Sequence, residues 1–325
     1  MQNHEYFSKN PLTNKGFCCI LYGLKKSAVF ILNMEETKMK KIVALALAAL
    51  LAASCLLMAS CGTVKAAVKV YTEYELTAEE YAFAIAKENT ELMTATNELL
   101  ADLKANGELD NIINSFFDGS AEFVYENPVA TVPTGAEREN YLVVATNAYF
   151  PPFEYYEGNK LTGVDMKIAS LLAEKLGKTL YIYDMEFDSV IISVKNGDSD
   201  IGMAGMTVNE ERKKSIDFTT EYYESAQVLV VRENDEVFAG CQNADDIVAK
   251  LSEQTTAFQV GTQNGTTGYM YSAGDEGFGY DGFKNLTTRG YTTGALAILD
   301  LANGKIDAVI LDKQPAIMIA DSTNK

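Results

Sequence analysis

Histidine is nearly absent from this chain, whose 325 residues contain only His4 near the N-terminus. The sequence after position 60 therefore has no histidine base, no Ser-His pair and no histidine metal ligand. This absence argues against ordinary hydrolase chemistry, so we expect a protein that is not an enzyme. We also expect no cofactor and no bound metal.

Cysteine is scarce in the main part of the chain. Of the five cysteines, Cys18, Cys19 and Cys55 lie before position 60 and Cys61 follows directly, which leaves Cys241. A single remaining cysteine excludes an intrachain disulfide and a cysteine zinc site. We interpret Cys241 as a small structural residue, with a reactive thiol as the minor alternative.

Basic residues are outnumbered, with 27 Lys and Arg against 45 Asp and Glu and a formal net charge of −18. The segment 1–60 holds seven lysines and three glutamates, so the chain from Cys61 onward carries −22. A nucleic-acid-binding surface needs a basic footprint. We therefore expect no nucleic-acid partner.

Two short motifs lack the surroundings that their usual functions require. The segment Gly277–Gly282 fits GxGxxG, but no apolar strand precedes it and no clear helix follows. The segment Asp198–Asp200 lacks the spacing and the bidentate glutamate of a calcium loop. The sequence therefore predicts neither a dinucleotide site nor a calcium site here.

The N-terminal segment 1–60 has the pattern of an export signal. A positive start at Met39-Lys40-Lys41 precedes an almost entirely apolar run over 42–59. A charged start, an apolar stretch and small residues at a cleavage site are typical of a secretory signal. A membrane-spanning helix is the alternative, because the run is near the minimum spanning length.

The residues just before Cys61 resemble a bacterial lipobox, with Met58 where leucine is commoner. We therefore predict that 1–60 is a leader and lipoprotein signal peptide and that Cys61 carries a lipid anchor, with Cys55 as the rival acceptor. More than one acyl chain gives a stable hold on a membrane. The predicted location is outside the cytoplasm, anchored to the cell membrane. Residues 1–38 resemble no signal, and Met39 is an alternative initiator.

From Leu142 onward, apolar runs of strand length alternate with segments of helical periodicity. Val164, Ile168 and Leu172 recur at helical spacing before Gly177, for example. Predicted strands cover 142–146, 179–183, 201–204, 226–231, 257–260 and 306–311, and predicted helices 164–176, 190–194, 210–214, 243–251, 266–271, 293–303 and 314–320. This alternation predicts an α/β protein with parallel sheets and a ligand at the carboxyl ends of strands.

Five segments carry a more specific signal: FPPFE at 150–154, GVDMKIASLLAEKLG at 163–177, AGMT at 204–207, EERKKSIDF at 210–218 and GKIDAVILD at 304–312. Together they resemble family 3 of the bacterial extracellular solute-binding proteins, the amino-acid receptors of ABC importers. The resemblance spans 142–325. It implies a two-lobe periplasmic-binding-protein-like (type II) α/β fold and a free L-amino acid held between the lobes. It also implies ABC permease and ATPase subunits as partners of a monomer.

The order of segments departs from that family. The strand, hinge and two closing helices that the family places last resemble 68–71, 76–85, 91–105 and 109–117 here. We therefore predict a circular permutant, because exposed sites tolerate new termini. Lobe 1 would comprise 78–117 plus 139–228, the linker 118–138, and lobe 2 68–77 plus 232–325, with hinges near 82–85 and 228–232. A fragment of two tandem copies is the alternative.

The resemblance assigns the amino-acid head group to four positions. Arg212 offers a planar fork to the carboxylate, assisted by the backbone N–H and hydroxyl of Thr207. Gly205, which follows Ala204 at a strand end, meets the ammonium, and Asp312 neutralises it. Taken alone, Arg212 would be a surface arginine, and Thr207 and Asp312 would be helix N-caps.

The same resemblance assigns the rest of the cleft. Phe150 and Phe187 enclose the ligand side chain. Gln263 and Thr267 belong to the loop of the second lobe that reaches the carboxylate, with the Thr267 N–H as a donor at a helix start. Asn147 stands where several relatives for basic ligands carry aspartate, so arginine, lysine and histidine become less favoured than glutamine, other polar neutral amino acids or cystine. A cyclohexadienyl dehydratase-like enzyme and a ligand-sensing module are the alternatives on this scaffold.

Overall fold

The computed structural model describes residues 65–325. The predicted signal peptide and the predicted lipid attachment at Cys61 lie outside these residues. Across 65–325, none of the helices combines the length and apolar character needed to cross a membrane. The same residues contain no cluster of side chains suited to hold a metal ion.

Fifteen strands and nine α-helices make up residues 65–325. The strands are β1 Val68–Val70, β2 Glu79–Tyr81, β3 Ala84–Ile85, β4 Tyr141–Thr146, β5 Tyr149–Phe150, β6 Glu154–Glu157, β7 Lys160–Thr162, β8 Thr179–Asp184, β9 Ile201–Gly202, β10 Asp217–Phe218, β11 Tyr223–Ser225, β12 Gln227–Arg232, β13 Gln259–Gln263, β14 Thr287–Tyr291 and β15 Ala308–Asp312. The helices are α1 Thr90–Ala105, α2 Glu108–Phe117, α3 Val164–Lys175, α4 Phe187–Asn196, α5 Glu210–Lys213, α6 Ala244–Ser252, α7 Thr267–Ala273, α8 Gly294–Ala302 and α9 Lys313–Asn324.

The first lobe is built on a five-stranded sheet in the order β10-β3-β9-β4-β8. The side chains of strand β4 alternate between its two faces: Leu142 and Val144 face one apolar core and Ala145 faces the other. Helices α1, α2 and α3 cover the first face, and α4 covers the second. The two helices that precede the linker therefore pack against α3 in this lobe.

The second lobe has the same arrangement, with strand order β1-β12-β15-β13-β14. Helices α8 and α9 cover one face around Ile298 and Ile319. Helix α6 covers the other face, where Ile247 and Leu251 pack on the sheet. Strand β1 lies at the edge and pairs antiparallel with β12, so the front of the described chain completes the second sheet.

Both sheets are mixed, so the prediction of parallel sheets was wrong in each. One strand per sheet runs against its neighbours: β3 in the first lobe and β12 in the second. These two strands enter their sheets directly from the other lobe, whereas β4, β8, β13 and β14 pair in parallel. A strand that arrives without a crossover helix is free to run antiparallel.

The two lobes are joined by a two-stranded antiparallel ribbon of β2 and β11, with Tyr81 opposite Tyr223 and Glu79 opposite Ser225. Of the predicted hinges, 228–232 belongs to β12 of the second sheet and Ala84–Ile85 to β3 of the first, so the ribbon lies just before each of them in the chain. Strand β12 lies wholly in the second sheet, which moves the start of that lobe from residue 232 to Gln227.

The predicted linker, 118–138, is fixed along the first lobe. Tyr125 exchanges two backbone hydrogen bonds with Leu161, of 2.6 and 2.8 Å. The side chain of Asn127 donates to the carbonyl of Ile182 at 2.7 Å and accepts from its N–H at 2.8 Å. The side chains of Phe123 and Tyr125 pack against the first core. Hydrogen bonds to the first lobe thus hold in place a segment that was predicted to be only a linker.

Candidate functional site

One cavity between the two sheets is lined by all ten residues that the sequence proposed for a ligand, together with two others: Asn147, Phe150, Glu154, Phe187, Ala204, Gly205, Thr207, Arg212, Gln263, Thr266, Thr267 and Asp312. Its volume is about 10 Å³, which is enough for about one water molecule. The side chains of the two lobes therefore fill the space between them.

The lining residues lie where strands end. Asn147 follows β4, Gly205 follows β9, Gln263 ends β13 and Asp312 ends β15. Strands β4 and β9 pair in parallel in the first sheet, and β13 and β15 pair in parallel in the second. The carboxyl ends of such strands form the usual ligand crevice of open α/β sheets, and here two crevices face one another.

Arg212 lies on α5, a four-residue helix whose N-cap Asn209 accepts a hydrogen bond from the Arg212 N–H at 2.8 Å. Its Nη1 donates to the carbonyl of Thr207 at 2.6 Å, and its Nη2 donates to the carbonyl of Gly265 in the second lobe at 3.0 Å. The side chain is buried, and burial lowers the pKa of the guanidinium to about 10, against the opposing effect of Glu79 and Asp312. The surface-arginine interpretation is therefore excluded, and Asn209 rather than Thr207 caps the helix.

Asp312 is buried and faces the same cavity. It stands at the N-cap position of α9 but makes no side-chain capping bond. Its Oδ1 instead accepts a hydrogen bond of 2.5 Å from the hydroxyl of Tyr81. Burial, followed by the negative charge of Glu79, raises the pKa of the Asp312 carboxyl to about 7. A positive and a negative side chain, one from each lobe, thus share the cavity.

Thr207 connects the cavity to the hinge ribbon. Its hydroxyl donates to Oε2 of Glu79 at 2.6 Å and accepts from the hydroxyl of Thr267 at 3.1 Å. A threonine hydroxyl has a single proton, so this one has none left to donate into the cavity. The expectation that the Thr207 hydroxyl assists a carboxylate is therefore revised: it offers the cavity an acceptor.

Asn147 and Gln263 close the side-chain end of the cavity. The Asn147 Nδ2 donates to the carbonyl of Met185 at 2.8 Å, and its Oδ1 accepts from the Gln263 Nε2 at 2.9 Å. This second bond joins the two lobes. The buried Oε1 of Gln263 has no hydrogen-bond partner among residues 65–325. An acceptor therefore remains unused at this end of the cavity.

Glu154 also lines the cavity. It is the last residue of the FPPFE segment but was not among the residues predicted to bind the ligand. It lies opposite Phe150 in the β5–β6 pair, and residues directly opposite each other share a face of a sheet. Both carboxyl oxygens are buried, and their polar neighbour is the carboxyl of Asp165, which is within hydrogen-bonding reach when one of the two groups is protonated. Burial, then the neighbouring Asp165, raises the pKa of Glu154 well above its ordinary value. The strand register was the signal that would have selected this residue.

Phe278 is the second residue that the sequence analysis missed. It lies in the GFGYDG segment, where Glu276–Phe278 forms a 3-10 turn. Its ring lies 5.5 Å from the Arg212 guanidinium, and the ring of Phe187 lies 5.4 Å from it. The segment thus brings an aromatic ring to the cation at distances that suit a cation–π interaction.

The fold and the site together define a two-lobe α/β protein with opposed charges in an interlobe cleft. Residues 142–271 match the model of the bacterial extracellular solute-binding proteins, family 3.

Three relatives illustrate the similarity. The chain is 35% identical over 121 residues to the arginine-binding extracellular protein ArtP of Bacillus subtilis (strain 168), covering 37% of this chain and 44% of that protein. It is 35% identical over 169 residues to the putative ABC transporter arginine-binding protein 2 of Escherichia coli (strain K12), covering 52% and 61%. It is 27% identical over 184 residues to the L-cystine-binding protein TcyJ of the same strain, covering 56% and 63%. The chain thus spans less than two thirds of the length of each of these relatives.

Proposed function

We propose that this protein captures a free L-α-amino acid between its two lobes for an ABC importer. The observation that carries the proposal is the pairing of buried Arg212, from the first lobe, with buried Asp312, from the second, around one cavity. Buried charges need partners of opposite sign. The carboxylate and ammonium of an α-amino acid, which are attached to the same carbon atom, supply both partners.

The head group would be held by both lobes at once. Two of the five N–H groups of Arg212 donate to backbone carbonyls. The others remain as donors for a carboxylate bound by two hydrogen bonds. The Thr267 N–H, at the first position of α7, is a further donor to that carboxylate. Asp312 and the Thr207 hydroxyl would accept from the ammonium. The rings of Phe150 and Phe187 would enclose the first methylenes of the side chain.

Capture would require the lobes to open and close. The cavity of about 10 Å³ is too small for an amino acid, and three hydrogen bonds across it already join the lobes: Arg212 to Gly265, Gln263 to Asn147 and Thr267 to Thr207. A ligand shifts such an equilibrium only through contacts that differ between the two states. We infer that contacts made by the bound ligand, through its head group and its side chain, take over the role of these bonds in joining the lobes.

The side chain of the ligand would be polar and bear hydrogen-bond donors. Gln263 Oε1 lies at the cavity without a hydrogen-bond partner among residues 65–325, and the buried carboxyl of Glu154 lines the same cavity. The amides of Asn147 and Gln263 favour a polar neutral side chain such as that of glutamine. Arginine is the second candidate, because Glu154 supplies the carboxyl group that residue 147 lacks. Two of the relatives described above are named for arginine.

The remaining parts of the proposal concern export and chain order. We propose that the leader is cleaved before Cys61, that this cysteine is lipidated, and that the mature monomer stays at the outer face of the cell membrane. We also propose the circular permutation, since α1 and α2 pack on α3 within the matched segment. Mass spectrometry of the membrane-extracted protein tests cleavage and lipid attachment. A gene that places 65–117 after Lys325 should encode a protein with the same ligand.

A thermal-shift screen of the purified full chain against the twenty common amino acids tests the function. At 100 times its Kd a ligand adds about 2.7 kcal/mol, which raises Tm by about 5–11 °C for a domain of this size. A shift restricted to polar side chains supports the proposal, and no shift with any amino acid would refute it. Turnover of prephenate or arogenate would instead support the dehydratase alternative.

A further inference from the structure

Glu79 is a buried carboxylate at one end of the hinge ribbon, outside the residues assigned to the ligand. It lies on β2, and its side chain is 5% exposed. Its Oε1 accepts from the Thr77 hydroxyl at 2.6 Å and from the Gln227 Nε2 at 3.0 Å, and its Oε2 accepts from the Thr207 hydroxyl at 2.6 Å. Its three partners come from the hinge, the second sheet and the first lobe.

We propose that Glu79 is a positioning residue that fixes the polarity of the Thr207 hydroxyl, so that this hydroxyl accepts from the ammonium of the ligand. This inference rests on the proposed function. The hydroxyl has one proton, and the carboxylate of Glu79 can only accept it. The oxygen lone pairs of Thr207 therefore face the cavity, where Thr267 donates to them in this structure.

The same arrangement prepares both ends of the head group. When an ammonium takes the place of the Thr267 hydroxyl at Thr207, that hydroxyl is released with its proton. A free hydroxyl donor beside Arg212 suits a carboxylate. The hydrogen bonds from Thr267 to Thr207 and from Thr207 to Glu79 thus orient both hydroxyls. The Thr207 oxygen can accept from the ammonium, and the Thr267 hydroxyl can donate to the carboxylate.

The substitution Glu79→Gln would reverse the orientation of the Thr207 hydroxyl. Its Oε1 can still accept from Thr77 and Gln227, which turns its Nε2 toward Thr207. The amide then donates to the Thr207 oxygen, and the threonine proton points into the cavity. An ammonium would meet a donor instead of an acceptor, whereas a carboxylate would lose nothing.

The test is isothermal titration of the full chain and its Glu79→Gln variant with L-glutamine, L-arginine and the analogue of each that lacks the α-amino group. We expect the variant to raise the Kd of the amino acid about 10- to 100-fold and to leave the Kd of the deamino analogue within about twofold. Glu80→Gln is the matched control, since Glu80 lies on the same strand but is exposed. A Thr207→Ala background should abolish the effect of Glu79→Gln, because no hydroxyl remains to be oriented.

Equal weakening of the amino acid and its deamino analogue would overturn the proposal in favour of a merely structural role, and so would no weakening of either. If Glu79→Gln does not fold, Glu79→Asp is titrated in the same way; it keeps the charge but is one methylene too short to hold Thr207 and Gln227 together. Absence of binding by the unaltered protein to all twenty amino acids refutes the proposed function itself. That result is distinct from normal binding that is insensitive to residue 79.

Discussion

Replacement of Arg212 by alanine should remove ligand binding while the two lobes still fold. The guanidinium is the only buried cation among the residues that line the cavity. Without it, the carboxylate of a captured amino acid would be buried next to Asp312 with no positive partner. Truncating one member of a buried, hydrogen-bonded charge pair costs about 2–5 kcal/mol. This corresponds to a rise in Kd of about 30- to 5,000-fold.

The structure also predicts the behaviour of a charged substitute. Arg212→Lys keeps the positive charge but loses the planar fork that reaches two backbone carbonyls and a carboxylate together. We expect its Kd to lie between those of the unaltered protein and Arg212→Ala, about tenfold or more above the former. Titration calorimetry with the amino acid that gives the largest thermal shift measures both variants.

Arg289→Ala is the matched control for these variants. Arg289 belongs to the second lobe, its side chain is 46% exposed, and it pairs with Asp300 at 3.6 Å. Surface pairs of this kind contribute about 0–1 kcal/mol, so its removal should leave the Kd unchanged. An unliganded melting curve shows that each variant is folded. A folded Arg212→Ala variant that binds within about twofold of the unaltered protein would refute the head-group assignment.

Four further predictions concern the site. Asp312 must be ionised to pair with an ammonium, and burial raises the pKa of its carboxyl to about 7 in the unliganded protein. Kd should therefore rise by up to tenfold per pH unit as the pH falls below 7 and stay level just above pH 7. A flat profile of Kd from pH 5 to 8 in titration calorimetry would contradict this. The raised pKa of Asp312 also affects folding, because the unfolded chain releases the Asp312 proton at a lower pH than the folded protein does. The unliganded protein should therefore lose stability from about pH 4 to pH 7. The Tm of Asp312→Asn should vary less over that range. Asn147→Asp should lower the Kd for arginine relative to that for glutamine about tenfold, and equal changes for both would exclude residue 147 from side-chain selection. Phe278→Ala should raise the Kd about two- to fivefold through loss of the ring over Arg212, with Phe283→Ala as a control in the same loop.

Much of the local structure could be predicted from the sequence, because it depends on contacts between near neighbours. The helix at Val164–Lys175 follows from apolar positions at helical spacing, and the turn after it from Gly177, which has a positive φ of 64°. Strand β4 follows from a short apolar run with polar residues after it. The ten proposed site residues follow from the resemblance to a known family, and of these Asn147, Gln263 and Asp312 lie at or directly after the end of a strand.

The linker shows where this local reasoning ends. Proline and glycine in 118–138 indicated a connection, but Asn127 is held by a strand residue 55 positions away. Its partner lies across the surface of a folded lobe. No sequence pattern in the linker or in β8 predicts the contact between Asn127 and Ile182, because that contact depends on the position of the first sheet in the folded lobe.

The sequence by itself therefore determined the main helices, the longer strands, the apolar faces that pack them and the chemical groups available to a ligand. Tertiary structure alone decided which groups meet. Tyr81 reaches Asp312 across 231 residues and Thr207 reaches Glu79 across 128. It also decided that one strand in each sheet is reversed and that Glu154 faces the cavity. The physical reason is that a hydroxyl or carboxyl group has no preferred partner until burial removes water as the alternative.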